Sequence, residues 1–447
     1  METFDVNAPS GAKAEADALR KQIWKAEDMQ IKGGVSYYIS EYGDDDNDGL
    51  SSERPVRSLL RLRSFPVRSG DKLLFERGSV FRTEESLFLP GGVVVGAYGK
   101  GEKPVLLGSL YNYAEAAFWK EGMDSRHWCL SIKIKEAGCM TFNADTEIGV
   151  RKAKREELTE NGDFYYDFET KILELYFDKG NPGNFFEEIE IASAKELLYG
   201  INVNSVRIDN LCLKYATCLA VTFGNSRDIY ITNCELGWIG GAYFATGVRY
   251  GNAIQFWHRG ENLVVEFCHM YQIFDAALTF QGKGMDKSFF KGVRFEHNLI
   301  EFSSMNFEFW VGEKGKNASI QDILFAYNIV RMGGYGWGGT QREPYNNGGQ
   351  ALILGWNYHY DEMENFVCRD NILDCADCNL IYTETPEQQP GLSVIHNSYY
   401  QKRTTGMSPY VEIIRKSGLY ADNQEEFEKA ISHFDSEPAL VQWIEIE

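Results

Sequence analysis

From mid-chain to near the C-terminus one pattern recurs: apolar, any, apolar, any, any, Asn or Cys, any, apolar. It reads Ile229-x-Ile231-x-x-Cys234-x-Leu236, Leu263-x-Val265-x-x-Cys268-x-Met270 and Val293-x-Phe295-x-x-Asn298-x-Ile300. It continues as Ile323-x-Phe325-x-x-Asn328-x-Val330, Phe366-x-Cys368-x-x-Asn371-x-Leu373 and Leu392-x-Val394-x-x-Asn397-x-Tyr399. Alternation predicts strands with one buried face. The extra residue before the Asn or Cys predicts a corner that keeps the next apolar side chain inside.

The period selects the solenoid. Positions 234, 268, 298, 328, 371 and 397 lie 34, 30, 30, 43 and 26 residues apart, and Leu211 is a degenerate copy 23 residues before Cys234. Intervals that bottom out in the low twenties fit one coil of a right-handed parallel β-helix, with longer ones carrying loops. A leucine-rich repeat would need a Leu-rich consensus that is missing. The fold class is therefore all-β. The Asn and Cys residues are expected in the interior, where a buried Asn can bond its amide to the coils above and below.

Upstream, Ala16, Leu19, Ile23, Trp24 and Met29 recur among charged neighbours, predicting an amphipathic helix within residues 12–31 that caps an exposed end of the solenoid. A strand at Val35–Glu41 precedes the acidic run Asp44 to Gly49. Counted as a calcium loop from Asp44, that run meets Pro55 where a Glu is required. It is expected to be a turn capping a helix over Pro55–Leu62, with a structural calcium site as the alternative. Residues 111–190 break the coil pattern, and their aromatic runs and turn residues predict a β-rich insertion forming one wall of a cleft. The expected organisation is 1–34 capping helix, 35–110 first coils, 111–190 insertion and 191–447 main β-helix.

Composition narrows the partners. A formal charge of −20 over 447 residues argues against nucleic acid and anionic membranes and makes a polyanionic sugar a less natural ligand. Nine cysteines, several spaced like apolar residues, read as free buried thiols. The single CxxC of Cys375 and Cys378 lacks the second pair that zinc would need, so no metal is expected beyond the calcium alternative. The start, Met1 to Gly11, has no basic stretch followed by an apolar run. Taken literally that predicts a cytoplasmic protein, although a secreted chain already stripped of its signal peptide would read the same.

Each coil has a second strand after the ladder residue: Ala220 to Gly224, Ala253 to Trp257, Ala277 to Gln281 and Asn306 to Trp310. Alternation puts Phe223, Phe256, Phe280 and Phe309 inside. It puts Thr222, Gln255, Thr279 and Glu308 in one outward row, and Gly224, Trp257, Gln281 and Trp310 in the next. Indoles beside fixed amides and a carboxylate suit sugar rings and their hydroxyls, although outward Gln and Thr are also ordinary solvated strand residues. Glu308, between Phe307, Phe309 and Trp310, is the first candidate for acid catalysis, because desolvation raises a carboxyl pKa. Its partner is Asp275, if a corner brings it inward, or Glu343 from the Gly-rich loop at 333–349. For each carboxylate a solvated or capping role is the alternative. Arg249, Tyr250, Asn252, Gln255, Trp257, Gln281, Trp310, Trp337 and Arg342 are expected to bind substrate. His258 and His269 are either structural or candidate bases.

The segments YYISEYGDDDNDGLSSERPVRSL, GDKLLFERGSVF and VVVGAYGKGEKPVLLGS resemble the opening coils of right-handed parallel β-helix proteins of the pectate-lyase-like superfamily, common among bacterial carbohydrate-active enzymes. GDFYYDFETKILELYFDKGNPGNFFEEIEIA, RYGNAIQFW, IFDAALTFQG, NFEFW and GYGWGGTQREP are similar to its glycosidase-like subgroup. The resemblance implies an enzyme acting on glycosidic bonds: a hydrolase of plant or microbial oligosaccharides or polysaccharides using two carboxylates. Because the superfamily also holds lyases, epimerases and adhesins, two alternatives stay open: a uronic-acid lyase or epimerase, and a non-catalytic carbohydrate-binding β-helix.

Overall fold

The computed structural model describes residues 1, 10–30, 32–243, 249, 251–282, 285–312, 317–342, 351–356, 362–382, 390–403, 411–414 and 418–445. The architecture is a parallel β-helix, wound in the right-handed sense that twisted parallel strands impose on their crossovers. A ten-stranded sheet runs down one face. It includes Cys212–Lys214, Glu235–Ile239, His269–Ile273, Leu299–Glu301, Ile329–Gly333 and Ile372–Ala376, the strands that follow the ladder residue of each repeat, Leu211 in the first and Asn or Cys in the others. An eighteen-stranded sheet wraps the other two faces, because long strands such as Ala216–Thr232 and Asn252–Glu266 bend across both.

At the repeat corner the residue before each ladder position is left-handed. Asn233, Phe267, His297, Tyr327, Asp370 and His396 have φ of 53°, 52°, 56°, 58°, 55° and 58°. Non-glycine residues resist that conformation, so something must hold them in it. Part of the answer lies in the next position. Asn298, Asn328, Asn371 and Asn397 form an interior column in which each Nδ2 donates to the Oδ1 of the next, at 3.0, 3.0 and 2.9 Å. The same Oδ1 atoms accept from the backbone N–H of the preceding ladder residue. The column ends on Asp435, whose Oδ2 accepts the Asn397 backbone N–H at 3.1 Å. On the outside, Phe267, His297 and Tyr327 stack nearly parallel, with centroids 4.8 and 5.1 Å apart, the same spacing as the strands beneath them.

Both ends of the solenoid are covered, but not as expected at the N-terminus. Leu59 and Leu62, from the short helix Leu59–Leu62, join the main core beside Tyr37 and Val56 of the first coil. Ser58 caps this helix, while Asp45 accepts the backbone N–H groups of Arg57 and Ser58. The helix Gln424–Ser432 plugs the other end with Phe427, Ala430 and Ile431. The amphipathic helix Lys13–Trp24 instead lies along the flank of the ten-stranded sheet. Its small buried face, Ala12, Ala16 and Ile23, covers the outward Leu299 and Ile329. The backbone of Gly11 and Ala12 donates to Asp374, and Met29 donates to Asp209, so this segment straps the outside of successive coils. The physical reason is that the outward row of this sheet is itself partly apolar and needs a cover.

Residues 111–190 fold as a unit with its own core of Tyr113, Trp119, Phe142, Phe164, Tyr166, Leu173 and Leu175. Its five-stranded sheet is built around the antiparallel pair Asp163–Asp167 and Ile172–Tyr176. Among the described residues, no helix is long and apolar enough to cross a membrane.

Candidate active site

The registers place Thr222, Gln255, Thr279 and Glu308 directly opposite one another on successive strands, and likewise Gly224, Trp257, Gln281 and Trp310. The Phe residues between them point inward, Phe223 facing Phe256 and Phe280 facing Phe309. The outward rows form the floor of a cleft of about 1570 Å³, lined by Thr222, Gln255, Trp257, Gln281, Glu308 and Trp310 together with Asn252, Asp275 and Arg342.

Glu308 sits at the bottom, 4% exposed. Its Oε2 accepts from the Thr279 hydroxyl at 3.1 Å and from the Gln281 side-chain amide. Burial, and secondarily the charge of Asp275, push its carboxyl up to about 8. Gln281, Thr279 and Arg342 pull the other way without cancelling this. Asp275 precedes the strand Ala276–Gln281, at a bend where its N–H donates to Gly251 and its carbonyl accepts from Met305. That bend turns its side chain into the same cleft as Glu308, where Arg342 Nη1 holds Oδ1 at 2.5 Å. This is the corner on which the pairing of Asp275 with Glu308 depended. The arrangement can keep one carboxyl protonated at neutral pH beside a second, ion-paired carboxylate, the requirement for proton donation at a reacting oxygen.

Asn252 plays two parts. Its Nδ2 donates to Gln255 Oε1 at 2.7 Å and its Oδ1 accepts the Ala276 N–H, so it fixes the strand as well as facing the cleft. Arg249 and Trp337 do not line the cleft. Arg249 is buried, donates to the carbonyls of Gly241 and Gln341, and lies over the Phe274 ring. Trp337 is fully buried against Phe274 with its indole N–H on the Gln272 carbonyl, because the helix Trp337–Gln341 packs against the strand His269–Ile273 rather than over the cleft. Both hold up the chain that delivers Arg342. Tyr250 and Glu343 lie outside the described residues. His269 is away from the cleft, bonded to Glu301 on the ten-stranded sheet, and His258 meets the Asp286 carbonyl at a corner.

No residue of the insertion lines the cleft. It contacts the helix Trp337–Gln341, through Gln341 Nε2 on the Gly149 carbonyl at 3.1 Å. The far wall comes from residues that the repeat pattern did not mark: Arg63, Glu85, Phe88, Lys195, Glu196, Tyr199 and Ile201. The signal was available in Leu198-Tyr199-Gly200, which pairs in register with Val221-Thr222-Phe223 and extends the outward row by one coil.

No protein-family model and no curated protein matches the chain. Among solved structures it is similar to a glycoside hydrolase, at 10% identity over 92% of this chain and 96% of that one, with a TM-score of 0.44. It is also similar to a pectate lyase (10% identity, 86% of this chain, 74% of that one, TM-score 0.45) and to a family 28 exopolygalacturonase of Yersinia enterocolitica (10% identity, 92% of this chain, 71% of that one, TM-score 0.40).

Proposed function

We propose that the protein is a glycoside hydrolase acting on neutral oligosaccharides, with Glu308 as general acid and Asp275 as the second carboxylate. The observation that carries this reading is the state of Glu308: a carboxyl at the floor of an aromatic cleft, pushed up to about 8, with both neighbouring donors committed to one of its oxygens. Its other oxygen is then the one to carry and deliver a proton to a glycosidic oxygen. Asp275, neighbouring it in the cleft, would act as nucleophile or as base toward water, according to the carboxyl separation adopted with substrate. Trp257 and Trp310 offer apolar faces to sugar rings, and Gln255 and Asn252 offer amides to hydroxyls.

The charge pattern favours a neutral ligand. Among the described cleft-lining residues there are three cations, each paired with a carboxylate of the same cleft: Arg342 with Asp275, Arg63 with Glu85 and Lys195 with Glu196. A uronic acid would have to break one of these pairs to use any of these cations as its counter-charge.

Digestion of a glycan library with product analysis tests the reading. Products that have gained water support it. Products absorbing through a new carbon–carbon double bond, with no water gained, would replace it with lyase chemistry. Binding without any cleavage would replace it with a carbohydrate-binding module.

A further inference from the structure

The outward row that contains Glu308 does not stop at the coils that carry the repeat. Glu308 pairs with Thr279, Thr279 with Gln255, Gln255 with Thr222, Thr222 with Tyr199, and Tyr199 with Phe88. Five strand spacings separate the two ends, roughly 24 Å, and both ends belong to one continuous cleft. The parallel row reads Ile201, Gly224, Trp257, Gln281, Trp310.

The apolar residues at the far end are more exposed than the fold requires. Phe88 is 44% exposed and Ile201 54%, and Phe88 meets Tyr199 edge-on at 5.4 Å. Leu87 and Leu198, their sequence neighbours, do the core packing from the opposite face of the same strands. Halfway along, Trp257 is 36% exposed. Single exposed apolar side chains need no explanation, but a file of them along one groove marks a binding surface. Between Ile201 and Trp257 the row has Gly224, where a Cβ would find only ordinary contacts beginning at 3.7 Å, so the floor there is open rather than packed. At the same end Arg63–Glu85 and Lys195–Glu196 set charge-compensated polar groups beside the rings.

We infer that Phe88 and Tyr199 form a distal sugar-binding platform, so that the cleft takes an extended neutral oligosaccharide spanning from this platform to Glu308. The chemical class of the ligand rests on the glycosidase reading; the position of the platform does not. A chain lying along the rows would place apolar ring faces on Phe88 and Trp257, pass over Gly224, and reach the carboxyl pair with its scissile bond.

The test is equilibrium binding of neutral gluco-, xylo- and galacto-oligosaccharide ladders, disaccharide upward, to the full chain carrying Glu308→Gln, alone and combined with Phe88→Ala, Tyr199→Ala or Gly224→Leu. Affinity for at least one ladder should rise with chain length until the groove is spanned. Phe88→Ala and Tyr199→Ala should each weaken the longest chains roughly tenfold and leave the shortest within about twofold. Gly224→Leu, which fills the floor between Ile201 and Trp257 without altering Phe88 or Tyr199, should also act on long chains alone. Affinity independent of length, equal effects on short and long chains, or no binding by any ladder would overturn the platform. Length-dependent binding that needs Phe88, with no cleavage by the wild-type protein, would sink the hydrolase reading and leave the platform standing. Cleavage of short substrates with no length dependence would do the reverse.

Discussion

Thr279 stands directly across the sheet from Glu308 and donates its hydroxyl to the carboxyl oxygen Oε2 at 3.1 Å, the atom that also takes the Gln281 amide. Two donors on one oxygen leave the other oxygen to hold the proton. This asymmetry comes from stacking alone, since residues at equivalent positions in consecutive coils must lie one strand spacing apart. It sets the first prediction.

Glu308→Gln keeps the side chain's shape and removes the transferable proton, so turnover should fall at least about a hundredfold with the circular dichroism spectrum unchanged. Stability should move the opposite way. A carboxyl whose pKa rises from 4.5 to about 8 on folding contributes most below the lower value, and that contribution is lost as pH climbs to the upper one. The amide variant has no such loss. Its melting temperature should exceed that of the wild type by a margin that grows across this window, and a constant margin would contradict the burial of an ionisable group there.

The pH dependence of kcat/KM offers a second check. The alkaline limb should fall with an apparent pKa near 8, as Glu308 loses its proton. The Asp275 charge pushes that value up, so Asp275→Asn should shift the limb of its residual activity toward lower pH. Gln281 holds it down by hydrogen bonding, so Gln281→Leu should shift the limb toward higher pH. Shifts of the same sign in both variants would mean that one of the two residues does not act on Glu308 as the geometry implies.

The Asn column predicts a purely structural phenotype. Asn328→Ala removes the Oδ1 that accepts both the backbone N–H and the Nδ2 of Asn298, and strands buried donors within the stack. Leaving such groups unpaired costs about 1–3 kcal/mol each. A denaturation midpoint equivalent to a loss of about 3 kcal/mol is expected, with KM on any substrate unchanged. Asn328 is fully buried and does not line the cleft, so an altered KM would contradict the separation of column and site.

The interior was legible in the sequence because alternation and the Asn or Cys positions report directly on which side chains face inward. Glu308 and its row followed from the same rule. Corner conformations were not legible: Phe267 and Tyr327 adopt positive φ against their own preference, held by stacking with His297 that no local pattern signals. Trp337 and Arg249 misled because aromatic and cationic residues in a Gly-rich setting suit a binding rim as well as they suit a buttress. Only tertiary packing against Phe274 separates the two. The N-terminal helix misled similarly, since an amphipathic face states that it will be covered but not by what.

That helix gives the last prediction. Arg331, 1% exposed, sits between Glu301 at 2.8 Å and Asp374 at 3.4 Å, and its remaining nitrogen donates to the Ser10 hydroxyl. Arg20 of the helix reaches the other Glu301 oxygen at 2.6 Å. Burial opposes the charge on Glu301, yet His269, Arg20 and Arg331 together hold its carboxyl well below the usual range. A depressed carboxylate contributes stability that is present above its ordinary value and lost only as pH falls through the lower one, so the strap should survive mild acid. Arg331→Met leaves two buried carboxylates without their shared cation, at a cost of about 3–5 kcal/mol, and should free the chain around Ser10 to Ala12 and the start of the helix for proteolysis at neutral pH. Glu301 keeps Arg20 and His269, whereas Asp374 is left without its cation, so adding Asp374→Asn removes the stranded charge and should recover part of the loss. If the double variant were no more stable than Arg331→Met alone, the strap would be held by Ala12, Ala16 and Ile23 packing rather than by the ion row.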